Sequence, residues 1–222
     1  SGFISLADAD DSTQLFLGCD GGNFKVQTSG NSWADKLTVN QAGHLGLKTA
    51  PNAGWSVSTD INVLQLKHGV LWDYAGVQTD LGQNFYYTGS GYKFIRGDYS
   101  TRITQHCNDG HIGFWSGGTG SADGDITWAE RMHITADGKL LLGTTTEGHQ
   151  SADDLTIATD GQTGITIRSG TSHYGSIYFS DGTSGAAEYQ GYLEYDHSNN
   201  RLRLASNAAI ALTLDGSQNA TF

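Results

Sequence analysis

The sequence predicts an all-β protein, and three observations lead to that prediction. Gly accounts for 31 of the 222 residues and Pro for one, which suits tight turns between strands whose N–H groups are needed in hydrogen-bonded ladders. Asp outnumbers Glu 19 to 4, and Asp favours turns whereas Glu favours helices. Apolar and polar residues alternate at period two, and no helical periodicity extends beyond a turn or two.

The expected strands and turns follow one another along the whole chain. Strands that bury one face and wet the other are predicted at residues 37–39, 132–134, 155–157, 165–167, 177–179, 202–204 and 212–214. The dipeptide Asp-Gly predicts a turn because both residues tolerate the positive φ of a two-residue hairpin turn. It begins at Asp20, Asp109, Asp123, Asp137, Asp160, Asp181 and Asp215.

An internal repeat bears on the organisation of the fold. Residues 33–45 align with residues 128–140 at a constant offset of 95, and each copy reads as strand, tight turn, strand. A shorter third copy is expected at residues 212–216, where Leu-Thr-Leu-Asp-Gly resembles Ile-Thr-Ala-Asp-Gly of residues 134–138. Such unequal spacing does not fit a solenoid of 20–50-residue period. It predicts different modules inserted between similar linking hairpins.

Charge and composition exclude several classes of protein. A net charge of −11 without a Lys/Arg cluster argues against a nucleic-acid partner. No apolar run approaches the ~20 residues that span a bilayer, so no membrane insertion is expected. Cys19 and Cys107 are too few for a disulfide framework or a four-ligand zinc site and are expected as free thiols. The aliphatic content is low although aromatics are frequent, which favours burial of apolar side chains against other copies of the chain.

Three stretches resemble modules of bacteriophage tail fibres and tail spikes. Residues 128–145, WAERMHITADGKLLLGTT, are similar to a linking element of that family, and residues 81–95, LGQNFYYTGSGYKFI, to the module that precedes it. Residues 165–204 resemble a further module that often lies before a self-cleaving intramolecular chaperone domain, which is absent from this sequence. The resemblance implies that the chain ends at the chaperone-release point, Phe222.

The resemblance further implies an elongated homotrimeric fibre of β-hairpin modules. Intertwined β-prism or β-helix-like segments would carry small β-sandwich-like insertions. Four segments are expected: a hairpin fibre segment with the first linking repeat (1–50), an aromatic-rich β module (51–127), the second linking repeat (128–163) and a C-terminal β module (164–222). The implied location is the tail fibre of a virion made in the host cytoplasm, with other phage tail proteins as further partners.

The expected function is multivalent adhesion to a bacterial surface polysaccharide or another receptor, without a cofactor. Aromatic faces stack on sugar rings, and an aromatic-rich stretch lies in the second segment. The candidate receptor-binding residues are Trp72, Tyr74, Tyr86, Tyr87, Tyr92, Tyr99 and Trp115. Three copies of a weak site would gain by avidity on a repetitive receptor.

Two alternatives to adhesion remain open at this point. A tail-spike polysaccharide depolymerase with an active site between chains would need two carboxylates flanking a sugar, and Glu188 and Glu194 are weak candidates. Nothing in their spacing pairs them, so an enzyme is not expected. A purely structural shaft is the second alternative. His106 and His111 lie near each other in sequence and are weak candidates for metal ligands, although no metal site is expected.

Overall fold

The computed structural model describes residues 2–7, 14–28, 34–58 and 60–222. These residues form strands, turns and loops apart from one 3₁₀ helix (Gly185–Tyr189), so the all-β prediction is confirmed. Within the described residues, no helix is long and apolar enough to cross a bilayer. The chain divides into two compact units, residues 1–163 and 164–222. The predicted division into four segments stays a prediction.

The first unit is built on a 13-stranded sheet in which chain neighbours are also sheet neighbours. Adjacent strands pair antiparallel except for two parallel pairs, β5–β6 and β14–β15. A separate two-stranded ribbon is formed by β9 and β10. The strands are β1 (Gly2–Ala7), β2 (Gln14–Asp20), β3 (Asn23–Thr28), β4 (Ala34–Val39), β5 (Leu45–Leu47), β6 (Ile61–Leu66), β7 (Gly69–Tyr74), β8 (Gln78–Gln83), β9 (Tyr86–Tyr87), β10 (Tyr92–Lys93), β11 (Asp98–His106), β12 (Ile112–Gly120), β13 (Ala129–Ile134), β14 (Leu140–Leu142) and β15 (Leu155–Ile157).

The second unit is built on a five-stranded antiparallel sheet, again in chain order. Its alternating sequence places apolar side chains on one face and polar and charged side chains on the other, since successive residues of a strand point to opposite faces. The strands are β16 (Tyr174–Phe179), β17 (Gly191–Asp196), β18 (Arg201–Ser206), β19 (Ala209–Leu214) and β20 (Ala220–Thr221).

A β-bulge occurs at the same place in all three copies of the internal repeat. Lys36 is the extra residue where β4 pairs with β3, and Arg131, 95 residues later, is the extra residue where β13 pairs with β12. Ala211 occupies this place in β19, where it pairs with β18. A bulge sets two residues against one and re-aims the chain. The three copies therefore share a strand geometry that the sequence similarity alone did not define.

The turn that follows each bulged strand is also the same in the three copies. Its first residue is Asn40, Thr135 or Asp215, and the backbone N–H of that residue donates to the carbonyl oxygen four residues later. The side-chain oxygen of the same residue accepts the backbone N–H of that fourth residue, at 2.9 to 3.0 Å. An Asn, Asp or Thr side chain thereby completes the turn, as these residues do in other turns.

This geometry corrects the alignment of the third copy by two residues. Asp215 corresponds to Thr135 and not to Asp137, and Leu214, paired with Ala220, corresponds to Ile134, paired with Leu140. The positive-φ position of the turn is Gly138 in the second copy (φ 91°) and Gln218 in the third (φ 68°). The dipeptide Asp215-Gly216 was misleading, because the third copy has Gln at the turn position where the other two copies have Gly.

The seven Asp-Gly dipeptides place their Gly in turns or loops, but in none of them do both the Asp and the Gly have positive φ. Two-residue turns with positive φ at both centres are formed by other residue pairs. Gly21 and Gly22 form one such centre, between β2 and β3, and Asn207 and Ala208 form another, between β18 and β19. Ala208 has φ 57°, a conformation that costs an L-residue free energy because Cβ crowds the backbone.

Candidate functional site

The inner face of the first unit's sheet carries an aromatic core. The loops around the ribbon β9–β10 and the segment before β6 fold over strands β6, β7, β8, β11 and β12. Trp72 lies 5.7 Å from Trp55 and 6.3 Å from Phe85, ring centroid to ring centroid. The tilted and edge-to-face arrangements suit aromatic quadrupoles. The buried members of this core are Trp55, Ile61, Val63, Val70, Trp72, Phe85, Tyr86, Phe94 and Ile126.

A buried ion pair anchors the centre of this core. Asp80, fully buried, accepts hydrogen bonds from Trp72 Nε1 at 2.7 Å and from Arg102 Nη1 at 3.0 Å. The Arg102 guanidinium also lies 4.6 Å from the ring centroid of Tyr92 and 4.8 Å from that of Trp128. Planar stacking and bidentate donors make Arg the residue suited to such a place. The network fixes the aromatic rings around it.

The motif at residues 81–87 has structural roles in this fold. Asn84 has φ 63°, and its side chain bonds the backbone of Arg96 and Tyr99, with Oδ1 accepting the Arg96 N–H at 2.9 Å. A Cβ on Gly82 would lie 2.4 Å from the ring of Phe85, so a side chain there would displace the core. The motif thus positions the loop that closes over the sheet, a role that sequence reasoning missed.

The seven candidate receptor-binding aromatics differ widely in exposure. Trp72 and Tyr86 are buried, with 2% and 4% of their surface exposed, so they serve the core and present no ring face to a ligand. Burial, together with the hydrogen bond to Asp123, raises the pKa of Tyr86 to about 12. Tyr99 is the most exposed of the seven, at 70%. Trp115 is half-buried.

Three of the seven aromatics form a continuous group that reaches the surface. The ring of Tyr87 lies 5.9 Å from that of Tyr74 and 5.1 Å from that of Tyr92. Tyr74 is exposed, and Tyr87 and Tyr92 are half-buried. We call these three residues the tyrosine patch. Receptor binding by the seven residues stays a prediction, and their exposure favours the tyrosine patch and Tyr99 as its basis.

The outer face of the same sheet carries a row of apolar side chains across successive strands. Directly paired residues point to the same face, so the register defines the row. We call this set the apolar row: Cys19, Phe24, Val39, Leu45, Leu64, Leu71, Leu81, Ile103, Phe114, Met132, Leu142 and Ile157. Leu81, at its centre, is 59% exposed. A groove of about 410 Å³ runs past Leu81, Ile103 and Phe114.

The sheet of the second unit has an equivalent row. Ile177, Leu193, Leu204 and Leu212 are paired in register across β16, β17, β18 and β19. Leu204 is 49% exposed, and Ile177 and Leu193 are exposed as well. Scattered apolar residues are normal on a protein surface, but contiguous apolar patches mark interaction sites. Both sheets therefore present an apolar face of the kind that is covered in an assembly.

The two candidate metal ligands lie together, and the structure adds a third histidine to them. The imidazole ring of His111 stacks between that of His106, at 5.2 Å, and that of His133, at 4.7 Å. His133 Nδ1 lies 2.9 Å from Glu130 Oε1, and His111 Nδ1 lies 2.6 Å from Asp109 Oδ1. His133 comes from another strand, and sequence proximity alone could not have found it.

The two candidate catalytic carboxylates have different environments. Glu194, 7% exposed, accepts a hydrogen bond from Arg203 at 3.0 Å and another from Ser176 at 3.3 Å. Glu188 is an exposed residue of the 3₁₀ helix. Arg203 also bonds Asp196, whose pKa is lowered chiefly by hydrogen bonds from Asn199. The geometry of Glu194 is that of a charge-paired carboxylate on the polar face of a sheet.

Comparisons with known proteins add no relationship. No family model, no curated protein and no solved structure matches the chain.

Proposed function

We propose that this chain is a self-associating segment of a phage tail fibre, a homotrimer that attaches to a bacterial surface glycan. The observation that carries the proposal is the apolar row, since contiguous exposed apolar faces mark interaction sites. Burying one exposed Leu contributes roughly 1.5–3 kcal/mol, so a row shared by three copies would hold them together. The resemblance of three sequence stretches to tail-fibre modules supports the virion context.

The tyrosine patch supports the adhesive part of the proposal. Its rings combine an apolar face with hydroxyl groups, the chemistry that recognises a sugar. It stands on the inner side of the sheet, whereas the apolar row is on the outer side, so one chain can associate through one surface and bind through the other. Three copies of a weak glycan site bind a repetitive polymer more tightly than one copy does.

Self-association is tested by the mass of the protein in solution, measured by light scattering on a sizing column. The expected mass is about 71 kDa, three times the 23.7 kDa of one chain. Leu81→Lys, in the centre of the apolar row, is expected to give the monomer mass, because a charge would be buried at the interface. Val57→Lys replaces a 79% exposed apolar residue outside the row and should leave the trimer intact. A wild-type monomer would contradict the proposal.

Adhesion is tested separately, by sedimentation of the labelled trimer with purified polysaccharide from candidate hosts. Tyr74→Ala and Tyr87→Ala should each weaken sedimentation while the mass stays that of the trimer. Asn199→Ala, in the second unit, is a control for nonspecific effects. Unchanged sedimentation of both tyrosine variants would remove the tyrosine patch from the proposal. Trimers that sediment with none of the polysaccharides would favour the shaft.

A further inference from the structure

The three bulged hairpins can be compared position by position on the sheet face opposite the apolar row and its equivalent in the second unit. The equivalents of Phe114 are Val26 in the first copy and Leu204 in the third. The residue two places before each of them is apolar in all three copies, but the residue one place before differs sharply in side-chain size and charge. It is Lys25 in the first copy, Gly113 in the second and Arg203 in the third, each paired with the corresponding residue of the bulged strand: Thr38, His133 and Thr213.

In the first and third copies this position holds a cation that neutralises carboxylates. Lys25 Nζ lies 3.2 Å from Asp35 Oδ2, and Arg203 forms ion pairs with Glu194 at 3.0 Å and with Asp196 at 3.1 Å. Asp35 belongs to the bulged strand itself and is the counterpart of Glu130 in the second copy. The surroundings of Glu130 can therefore be compared directly with those of Asp35 in the first copy.

In the second copy the carboxylate is kept, but Gly113 stands where the other copies have a cationic side chain. Glu130 is 11% exposed, and Gly113 has no side chain to reach it. A Cβ on Gly113 would lie 2.6 Å from Glu130 Oε1 and 2.4 Å from Trp115 Nε1. The carboxylate thus occupies the volume that a side chain at this position would need. In exchange, the second copy places His133 where the other copies have Thr.

Two imidazoles lie near the carboxylate, and Nδ1 of His133 is 2.9 Å from Glu130 Oε1. His111, Glu130 and His133 each offer a ligand atom, and these atoms lie within 4.8 Å of one another. Metal–nitrogen and metal–oxygen bonds of about 2.0–2.2 Å need these atoms to approach one another more closely, through small rotations of the three side chains. His111 and His133 are 15% and 17% exposed, so the site is reached from solvent without unfolding.

We propose that His111, Glu130 and His133 bind a divalent transition-metal ion, which takes the place of the ammonium group of Lys25 in the first copy. Two imidazoles and one carboxylate suit Zn²⁺ and its neighbours in the first transition series. Three protein ligands leave a position for water. The proposal does not depend on self-association, since all three ligands belong to one chain.

The test is calorimetric titration of the chelator-treated full chain with ZnCl₂, followed by CoCl₂ as a spectroscopic probe. One Zn²⁺ per chain is expected, and Co²⁺ should give visible d–d bands. His133→Thr, which installs the residue of the other two copies, and Glu130→Gln are each expected to weaken binding at least tenfold. His149→Ala, which removes an exposed histidine of the same unit, should bind as the wild type does.

Far-ultraviolet circular dichroism of each variant shows whether it has folded, so that lost binding is not mistaken for lost structure. Absence of saturable binding to folded wild-type protein, with either metal, would overturn the proposal. Binding that persists unchanged in both His133→Thr and Glu130→Gln would overturn the ligand assignment, because the ion would then lie elsewhere on the chain.

Discussion

At the scale of single residues, the clearest departure from local preference is Gln218 in the third repeat turn. It has φ 68°, whereas the equivalent Gly43 and Gly138 have φ 83° and 91°. A non-glycine residue in the left-handed region costs about 1–2 kcal/mol of folding free energy. Replacing it with Gly recovers only part of this, because Gly has more conformational freedom to lose on folding. Gln218→Gly should therefore stabilise the second unit by about 0.5–1 kcal/mol.

Thermal unfolding monitored by circular dichroism measures this gain as a midpoint raised by a few degrees. The matched change in the second copy, Gly138→Gln, should lower the midpoint, because it introduces the same conformational cost. A lower midpoint for Gln218→Gly would show that the Gln side chain contributes more than its backbone conformation costs.

A second residue-scale prediction concerns acid. The pKa of Asp215 is lowered, first by the backbone hydrogen bond from Asn219 and then by the Asn219 side chain. A carboxyl whose pKa is depressed in the folded state stabilises the protein above its unfolded pKa of 3.8, and this contribution is lost as the pH falls through the folded value. Asp215→Asn keeps the acceptor, as Asn40 does in the first copy, and removes the titration.

Urea unfolding of the second unit at pH values from 6 down to 2 is the measurement. The wild type should lose stability below about pH 4 more steeply than Asp215→Asn does. The variant Asp181→Asn, a neutralised loop aspartate of the same unit, serves as the control and should follow the wild type. Parallel curves for the wild type and Asp215→Asn would contradict the prediction.

At the scale of elements, the repeated bulge can be tested by deletion. Removing Ala211 would bring β19 into continuous register with β18, with Ile210 still opposite Ala205. The bend and added twist of the bulge would be lost and the residues on either side of it re-aimed, so the deletion should destabilise the second unit by more than about 1 kcal/mol. Urea unfolding measures the loss.

The substitution Ala211→Arg is the matched control, because Arg131 occupies the same place in the second copy and Ala211 is exposed. It should change the free energy of unfolding by less than about 0.5 kcal/mol. A deletion as mild as this substitution would mean that the bulge is not what positions β19.

The sequence predicted six of the seven expected strands and the first two repeats, because alternation and turn residues are local signals. The prediction at residues 165–167 was wrong, since they alternate in the same way but form no strand. The sequence could not predict the bulges, since Lys36, Arg131 and Ala211 share no side-chain property. The alignment of the third repeat was wrong by two residues, because this repeat has Gln218 at the turn position where the second repeat has Gly138. Aromatic residues gave an equal signal whether buried, as Trp72 is, or exposed, as Tyr99 is. Only the sheet register separates the two, and it likewise brings His133 to His111.

At the scale of the whole molecule, the proposed trimer implies a stability that depends on concentration. When association buries a surface that the unfolded chain does not offer, mass action raises the unfolding midpoint with protein concentration. Calorimetry over a hundredfold range of wild-type concentration should show this rise, and Leu81→Lys should show none. A wild-type midpoint independent of concentration, in a reversible transition, would indicate a chain that is stable without partners.

The chain-order arrangement of the first unit's sheet also has a mechanical consequence. Each strand from β1 to β8 is hydrogen-bonded to the next one along the chain, and the unit's first and last strands lie at opposite edges of the sheet. Tension applied to the two ends of the unit therefore peels the antiparallel pairs one at a time, and it loads in shear the parallel pairs β5–β6 and β14–β15, which have three residue pairs each. A single chain of this design yields at low force, and any tensile strength must come from neighbouring chains that brace the outer face.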